Sequence, residues 1–226
     1  DTIIVPSFLT ILTIQDISCV GKCSLTVALP IISAMGVECC VIPTAVLSNH
    51  TAFSGFTFRD LTQDIEPICQ QWKKEKISFD AIYTGYLGSF EQIELMFKLI
   101  EDFGGKDTIT IVDPCMADNG KLYSGFTPDF AKKMAQLCGK AHVIVPNLTE
   151  ASFLLGLPYK DSGYDKDYVE NILKALAETG AKKVVLKGVD FNNGKLGIAT
   201  YDSKTQDISW YFHEKMPQNF HGTGDI

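Results

Sequence analysis

Two patterns of apolar and polar residues alternate along this chain, one typical of β-strands and the other of α-helices. Short continuous runs of apolar and β-branched residues recur, as is typical of strands buried on both faces of a parallel sheet. Between the runs, apolar residues are spaced three and four apart, which is typical of amphipathic helices. The runs occupy residues 8–14, 37–46, 79–85, 108–113, 141–147 and 182–188.

Helix signals fill the gaps between these runs. Gly36 ends one predicted helix, Ser89 and Gln92 have the spacing of a capping box, and Thr127-Pro128 places Pro at a first helical position. Two later stretches, 197–202 and 207–214, predict an antiparallel strand pair. We therefore predict an α/β fold with a mostly parallel sheet covered by helices on both faces. The helical spacing covers residues 25–35, 61–72, 93–100, a segment opening at 128, a short segment ending at 155, and 169–176.

Composition narrows the class of protein. Hydrophobic residues make up 46% and charged residues 21% of the chain, which is ordinary for a globular protein with a full core. The net charge of −7 argues against a nucleic-acid partner. Seven cysteines, an odd number without a C-x-x-C pair, favour reduced thiols over a disulfide framework. No apolar run reaches the ~18 residues of a membrane span, and the first residues lack the basic segment of a signal peptide.

Polar residues and glycines follow the predicted strands. Ligands of open parallel sheets bind outside the carboxyl ends of the strands, so we expect these residues to converge on one rim. Two common phosphate signatures, the P-loop and the G-x-G-x-x-G turn, are absent from the sequence, so a bound nucleotide needs another cradle. The rim residues are Gln15-Asp16, Ser48 to Thr51, Gly85-Tyr86, Asp113-Pro114, Pro146-Asn147, Lys187-Gly188 and Gly222 to Asp225.

The rim motifs, taken in order, resemble those of pyridoxal kinases, which belong to the ribokinase-like superfamily. The resemblance runs from Leu9 to the last residue. It implies a three-layer ribokinase-like fold in a single kinase domain over residues 1–226, with the C-terminal helices of the family continuing beyond the last motif. The motifs are TIQ (13–15), SNHT (48–51), TGYLGS (84–89), VDPCMAD (112–118), PNLTE (146–150) and GTGD (222–225).

The GTGD motif carries the predicted chemistry. The resemblance implies that Asp225 is the catalytic base, which takes the proton of the substrate hydroxyl as it attacks the γ-phosphate. The N–H groups of Gly222, Thr223 and Gly224 would form an anion hole where charge develops. Glycines suit that role because they let the backbone approach an anion closely. The structural alternative is a plain helix start with an acidic first turn.

On the nucleotide side, the resemblance implies contacts to ATP and Mg²⁺, and the family also allows a monovalent cation. Asp113 and Glu150 would serve the metal, because Mg²⁺ takes few carboxylates together with phosphate oxygens and waters. Both residues have structural alternatives, since Asp-Pro often ends a strand in a turn and Asn147 with Glu150 has capping-box spacing. The predicted nucleotide-binding residues are Asp113, Asp118, Tyr123, Asn147, Glu150 and Lys187.

On the substrate side, Asp16 stands where many pyridoxal kinases have Ser. A carboxylate there could accept from the ring hydroxyl or pair with an exocyclic amine or pyridinium, which would shift preference toward pyridoxamine or pyridoxine. Thr51 and Tyr86 match positions that contact the pyridine ring in the family, and His50 lies beside them. Tyr86 offers a flat apolar face with a hydroxyl, although ordinary packing is its alternative.

The resemblance implies an ATP-dependent kinase that phosphorylates the 5′-hydroxymethyl group of pyridoxal, pyridoxine or pyridoxamine in vitamin B6 salvage. A hydroxymethylpyrimidine kinase has the same fold and base, but SNHT and the lack of a Gly-rich segment after the first strand count against it. A non-catalytic binding protein on this scaffold is the third hypothesis, and the retained GTGD counts against it. The cysteines favour a cytoplasmic protein, and the net charge and apolar runs argue against nucleic-acid and membrane partners. The resemblance implies a homodimer that binds small molecules.

Overall fold

The computed structural model describes residues 9–217 together with Gly222 and Gly224. Strands and helices alternate over most of this range, as the hydrophobic pattern predicts. The strands are β1 (Thr10–Ser18), β2 (Glu38–Leu47), β3 (Phe58–Asp60), β4 (Ala81–Thr84), β5 (Ile109–Val112), β6 (Ala117–Asp118), β7 (Lys121–Leu122), β8 (Val143–Ile144), β9 (Lys183–Val189), β10 (Lys195–Asp202) and β11 (Ile208–Glu214). The helices are α1 (Leu25–Ala34), α2 (Thr62–Lys74), α3 (Phe90–Phe103), α4 (Pro128–Cys138), α5 (Leu148–Leu155) and α6 (Lys166–Glu178).

Nine of the strands form one sheet in the order β11-β10-β9-β8-β5-β4-β1-β2-β3. The five neighbouring pairs from β2 to β9 are parallel, whereas β3, β10 and β11 pair antiparallel. The predicted mostly parallel sheet with a C-terminal antiparallel pair is therefore confirmed. The edge strand β3 was not predicted, because its three residues are all exposed and carry no alternating pattern.

The order of the strands reverses at β1, which has β2 on one side and β4 on the other. Crossover connections between parallel strands are right-handed. Connections that move in opposite directions across the sheet therefore place their helices on opposite faces. The β1–α1–β2 unit thus puts α1 on one face, and the units from β4 to β9 put α3 to α6 on the other. Helix α2 packs on α3 and joins that layer. The helices therefore cover both faces, as predicted.

The core lies between the sheet and these helices. Leu12 and Ile14 of β1 and Ile82 of β4 are completely buried, as is expected of central parallel strands. Met96 of α3 and Met134 of α4 cover them from one face and are also completely buried. Each such side chain contributes about 1.5–3 kcal/mol through removal from water. This core fixes the strand ends on which the functional rim is built.

The predicted helix starts are largely confirmed. Ser89 and Thr127 cap α3 and α4 by accepting from the backbone N–H three residues on. Asn147 and Glu150 form a complete capping box at α5, with both bonds at 2.8 Å. The box predicted for Ser89 and Gln92 is only half formed, because the Gln92 amide oxygen accepts from the N–H of Gly88 instead of the N–H of Ser89.

Three predicted strand ends need correction. Gln15 and Asp16 do not follow β1 but lie inside it, since the strand continues to Ser18 through a register shift between Gln15 and Ile17. Lys187-Gly188 likewise lies inside β9. The strand predicted over 141–147 shrinks to β8, with one isolated parallel bridge between Asn147 and Lys187 beyond it. These departures all fall at the rim. In the described part of the chain, no helix is long and apolar enough to cross a membrane.

Candidate active site

The carboxyl ends of β1, β2, β4, β5 and β8 open on the same edge of the sheet because these strands are parallel. The strand order reverses between β4 and β2, around β1. At such a reversal, the connections that leave the two neighbouring strands run to opposite faces of the sheet. They leave a crevice at the strand ends, where ligands of open α/β sheets bind. The predicted site residues fall into two groups along this edge, one beside β1 and β4 and the other beside β5, β8 and β9.

Asp16 and Tyr86 form the first group. Asp16 is 6% exposed, and its Oδ2 lies 3.5 Å from the Oγ of Ser18. Tyr86 follows the end of β4, and its phenol is close enough to the Asp16 carboxylate for the two groups to interact electrostatically. Burial and then Asp16 raise the pKa of Tyr86 to about 12. The phenol therefore stays protonated at neutral pH and can donate a hydrogen bond to a ligand beside it.

Aromatic rings and a close backbone contact support Tyr86. Its ring lies 5.8 Å from the ring of Phe126, which stacks on Phe130 at 4.1 Å. Gly85, directly before Tyr86, packs against the buried side chain of Gln15, whose Cγ would lie 2.9 Å from a Cβ at position 85. Gly85 therefore allows β4 to end directly over Gln15, and a larger residue would displace the Tyr86 turn.

The loop after β2 forms a rim pocket beside this group. An open cavity of about 370 Å³ is lined by Gly21, Lys22, His50, Ala52 and Phe53, which is within the volume range of small-molecule sites. The Nδ1 of His50 accepts from the N–H of Ala52 at 3.0 Å, so the ring is held with Nδ1 as acceptor. His50 thus has a structural role in its own turn, and it also lines the cavity. Thr51 is exposed in the same turn.

Lys187, Asp113 and Gly224 form the centre of the second group. The Nζ of Lys187 lies 2.7 Å from Oδ2 of Asp113 and donates to the carbonyl of Gly224, also at 2.7 Å. The side chain of Asp113 is 3% exposed and that of Lys187 20%. Burial lowers the pKa of Lys187, but Asp113 and Glu150 outweigh it, so the pKa lies above its ordinary value. Lys187 is therefore a firmly charged group that ties the GTGD segment to the end of β5.

Glu150 is close enough to Asp113 and Lys187 to interact with both electrostatically. Its carboxylate accepts from the N–H of Asn147 at 2.8 Å and faces the N–H of Met116 at 3.4 Å. Complete burial and the charge of Asp113 raise the pKa of Glu150 to about 8, against the opposing effect of Lys187. The capping role predicted as its alternative is therefore present. The same carboxylate lies close enough to Asp113 and Lys187 to belong to their electrostatic cluster.

A short hairpin, β6–β7, carries two further predicted nucleotide-binding residues. Asp118 is exposed and accepts from both the backbone and the side chain of Asn119 at 2.9 Å. Tyr123, which follows the hairpin, is 39% exposed. The hairpin is fastened to α5, because Nδ2 of Asn147 donates to the carbonyl of Ala117 and the hydroxyl of Thr149 accepts from Gly120. Asp118 and Tyr123 are thus placed at the border of the rim rather than in its buried centre.

Two of the four GTGD residues are described. Gly222 has a φ of 74° and lies so close to the chain after β1 that a Cβ would be 2.4 Å from the carbonyl oxygen of Lys22. Only glycine accommodates both the conformation and this approach. Thr223 and Asp225 lie outside the described residues, so their predicted roles are untested. Lys22 was not predicted as a site residue. Its backbone carbonyl is contacted by Gly222, which is 200 residues away in sequence, and no local sequence pattern indicates such a contact.

The donor set at the second group fits a magnesium–phosphate partner better than a protein-only metal site. Among the described residues, no group of three or more His, Cys, Asp or Glu could hold an ion by itself. Mg²⁺ commonly takes one or two carboxylates and completes its shell with phosphate oxygens and waters. Asp113 and Glu150 supply oxygen donors of that kind, so the cluster is compatible with an ion that arrives with a nucleotide.

The fold and the rim define the class: this is a ribokinase-like kinase. The chain belongs to the phosphomethylpyrimidine kinase family, whose model matches residues 28–226. Among solved structures, a Bacteroides thetaiotaomicron protein provisionally described as a phosphomethylpyrimidine kinase is 39% identical with a TM-score of 0.94, over 99% of this chain and 77% of that one. A second crystal form of that protein, determined with pyridoxal, is 40% identical with a TM-score of 0.92, over 96% and 77% of the two chains.

Other relatives include both pyridoxal kinases and thiamine biosynthetic enzymes, the two classes between which the sequence left a choice. Pyridoxal kinase from Lactobacillus plantarum is 32% identical with a TM-score of 0.86, over 97% of this chain and 77% of that one. Pyridoxal kinase from Dictyostelium discoideum is 25% identical, over 96% of this chain and 74% of that protein. The Arabidopsis thaliana thiamine biosynthetic bifunctional enzyme TH1 is 30% identical, over 87% of this chain but only 36% of that protein. The resemblance to pyridoxal kinases and the kinase class are therefore confirmed.

Proposed function

We propose that this chain transfers the γ-phosphate of ATP to the 5′-hydroxymethyl group of a vitamin B6 compound. The observation that carries the proposal is the bridge from Lys187 to Asp113 and to the carbonyl of Gly224, which joins the GTGD segment to the strand end predicted for phosphates. The predicted ring-binding residues are Asp16, which lies near the end of β1, and Tyr86, which follows β4. The pyridoxal-containing structure of the 40% identical Bacteroides protein supports the same substrate class.

In the proposed mechanism, the chain positions and neutralises rather than forming a covalent intermediate. Tyr86 and Asp16 hold the pyridine ring, and Asp225 accepts the proton of the hydroxymethyl group as its oxygen bonds to the γ-phosphorus. The bond from that phosphorus to the β–γ bridging oxygen breaks, and ADP leaves. The N–H groups of the segment 222–224 and the charge of Lys187 stabilise the negative charge that develops. Mg²⁺, bound with the nucleotide near Asp113 and Glu150, would neutralise further phosphate charge; Asp118, Tyr123 and Asn147 would border the nucleotide.

The remaining features of the proposal rest on the family and on the cysteines. All seven cysteines are free thiols, which supports a reducing compartment such as the cytoplasm. We propose residues 1–226 as one kinase domain, and a homodimer on the family resemblance alone. The family also leaves room for a monovalent cation beside the nucleotide.

An assay of ADP release with each ring substrate tests the proposed reaction. We expect the full natural chain to phosphorylate at least one of pyridoxal, pyridoxine and pyridoxamine, and to need Mg²⁺. Hydroxymethylpyrimidine is the competing substrate, favoured by the family description and the thiamine enzymes among the relatives. Good turnover of hydroxymethylpyrimidine without turnover of any B6 compound would assign the chain to thiamine synthesis instead.

Replacing Asp16 tests the proposed ring contact. We expect Asp16→Ser to shift the ratio of kcat/KM values toward pyridoxal by roughly 10-fold, because a hydrogen bond to a buried charge contributes more than a neutral one. The measurement is kcat/KM for the three B6 compounds. Asp16→Asn keeps the shape and removes the charge, so it separates the two contributions. An unchanged ratio in both variants would show that Asp16 does not contact the ring.

A further inference from the structure

A buried amide in α3 lies behind the turn that carries Tyr86. Gln92 is 0% exposed, and its side chain makes three hydrogen bonds to three different segments. Its oxygen accepts from the N–H of Gly88 at 2.7 Å. Its nitrogen donates to the carbonyl of Thr44 in β2 at 3.0 Å and to the hydroxyl of Thr62 in α2 at 2.9 Å. Gln92 therefore connects the Tyr86 turn to β2 and α2.

Thr44 completes the connection from the side of β2. Its side chain is also fully buried, and its hydroxyl donates to the carbonyl of Tyr86 at 3.1 Å. Its own carbonyl accepts from Gln92 and from the N–H of Leu61. Thr44 and Gln92 thus hold the turn at two points, the carbonyl of Tyr86 and the N–H of Gly88, from a strand and a helix that are distant in sequence.

The position of the Tyr86 ring depends on this turn. The ring folds back over Gly88, where a Cβ would lie 3.5 Å from both Cε1 and the hydroxyl oxygen of Tyr86. Rotation of the peptide between Tyr86 and Gly88 would therefore move the ring relative to Asp16. A fully satisfied buried network holds such a peptide more rigidly than apolar packing does, because each broken bond leaves a polar group without a partner.

We propose that Thr44 and Gln92 are positioning residues for substrate recognition: they fix the Tyr86 turn and so set the affinity for the ring. Neither residue belongs to the predicted ring-contacting set. The inference rests on the proposed function in one respect, the role of Tyr86 as the surface on which the ring binds. It adds that the position of this surface is fixed by the hydroxyl of Thr44 in β2 and the side-chain amide of Gln92 in α3.

The test compares Thr44→Val with Thr44→Ser. Valine has nearly the shape of threonine but cannot donate to Tyr86, whereas serine keeps the hydroxyl and loses only a methyl group. We expect Thr44→Val to raise KM for the ring substrate about 5- to 10-fold, the usual effect of one lost hydrogen bond, with KM for ATP changed less than about 2-fold. Thr44→Ser should restore most of the ring affinity. Gln92→Met, which removes all three bonds at similar length, should raise the same KM at least as much.

A remote core variant controls for loss of stability. Ile172→Val trims a buried side chain in α6, which packs on β9 and β10 away from the turn, and should leave both KM values unchanged. The inference is overturned if folded Thr44→Val or Gln92→Met keeps the wild-type KM for the ring, or if both KM values rise together in every variant. The wild-type chain is assayed first with B6 compounds and hydroxymethylpyrimidine. Turnover of the pyrimidine alone refutes the proposed function, and the positioning role is then decided on that ring.

Discussion

Replacing Asp225 by Asn lowers kcat by about 10²–10⁴-fold while ATP still binds, if Asp225 is the general base. Asn has nearly the same size and can still cap a helix start, so the packing of the GTGD segment should survive. It cannot accept the proton of the hydroxymethyl group. Because this interaction is made in the transition state, kcat and kcat/KM should fall together, with a similar KM for ATP. Steady-state kinetics of the full natural chain measure both.

A matched Asp→Asn change elsewhere provides the control for this result. Asp129 lies in the first turn of α4, is exposed and pairs with Lys132 at 2.8 Å. Asp129→Asn therefore makes the same chemical change at a helix start outside the rim, and it should leave kcat unaffected. Near-normal turnover in Asp225→Asn would remove Asp225 as the base, and the proposed chemistry of GTGD would have to reside in another group.

The sequence predicts the layers of this fold well because the central strands are buried on both faces. Such strands must be apolar throughout, so β1 and β5 read as continuous runs, while the helices between them keep one apolar stripe. The prediction fails where elements are too short or too exposed for a period. Strand β3 and the β6–β7 hairpin are two or three residues long per strand, and their pairing comes from neighbouring chain rather than from their own pattern.

At the rim, too, some features were predicted correctly from the sequence and others were not. Gln15 and Asp16 were predicted to end β1 because polar residues usually leave a buried strand. In the structure they stay inside it, since Gln15 donates to Thr13 at 3.0 Å and packs under Gly85, and Asp16 borders the rim. Hydrogen bonds within the strand, from Gln15 to Thr13 and from Ser18 to Asp16, thus replace part of the water that these polar groups would otherwise need. The network of Gln92 and Thr44 was missed for a related reason, because one polar residue on an apolar helix face carries no sign of its distant partners.

The pair of Lys187 and Asp113 is another contact that no local pattern reveals. The residues are 74 positions apart, and β8 lies between their strands in the sheet. Neighbouring strands are about 4.8 Å apart, so Lys187 must reach across two strand spacings. The sequence placed both residues on the rim from the carboxyl-end rule. Their salt bridge follows only from the strand order.

We expect Lys187→Met to destabilise the fold by about 3–5 kcal/mol, because it leaves the buried Asp113 carboxylate without its cation. The double variant Lys187→Met/Asp113→Asn should recover much of this loss, since neither partner is then charged. Urea denaturation measures both as shifts in midpoint at constant slope, and the double-mutant cycle gives the coupling between the two side chains. Lys187→Met should also lower kcat/KM for ATP, because the proposed phosphate contact and the tie to Gly224 are lost together.

The same strand offers the matched control for this experiment. Lys183 of β9 pairs with Asp202 at the same 2.7 Å, but its side chain is 59% exposed, against 20% for Lys187. Lys183→Met makes the identical change on the surface, where an ion pair contributes only about 0–1 kcal/mol. Burial, rather than distance, therefore predicts the difference between the two variants. Equal and small losses at both positions would show that water reaches Asp113 freely, and the rim would then lack the dry, charged centre on which the proposed phosphate site depends.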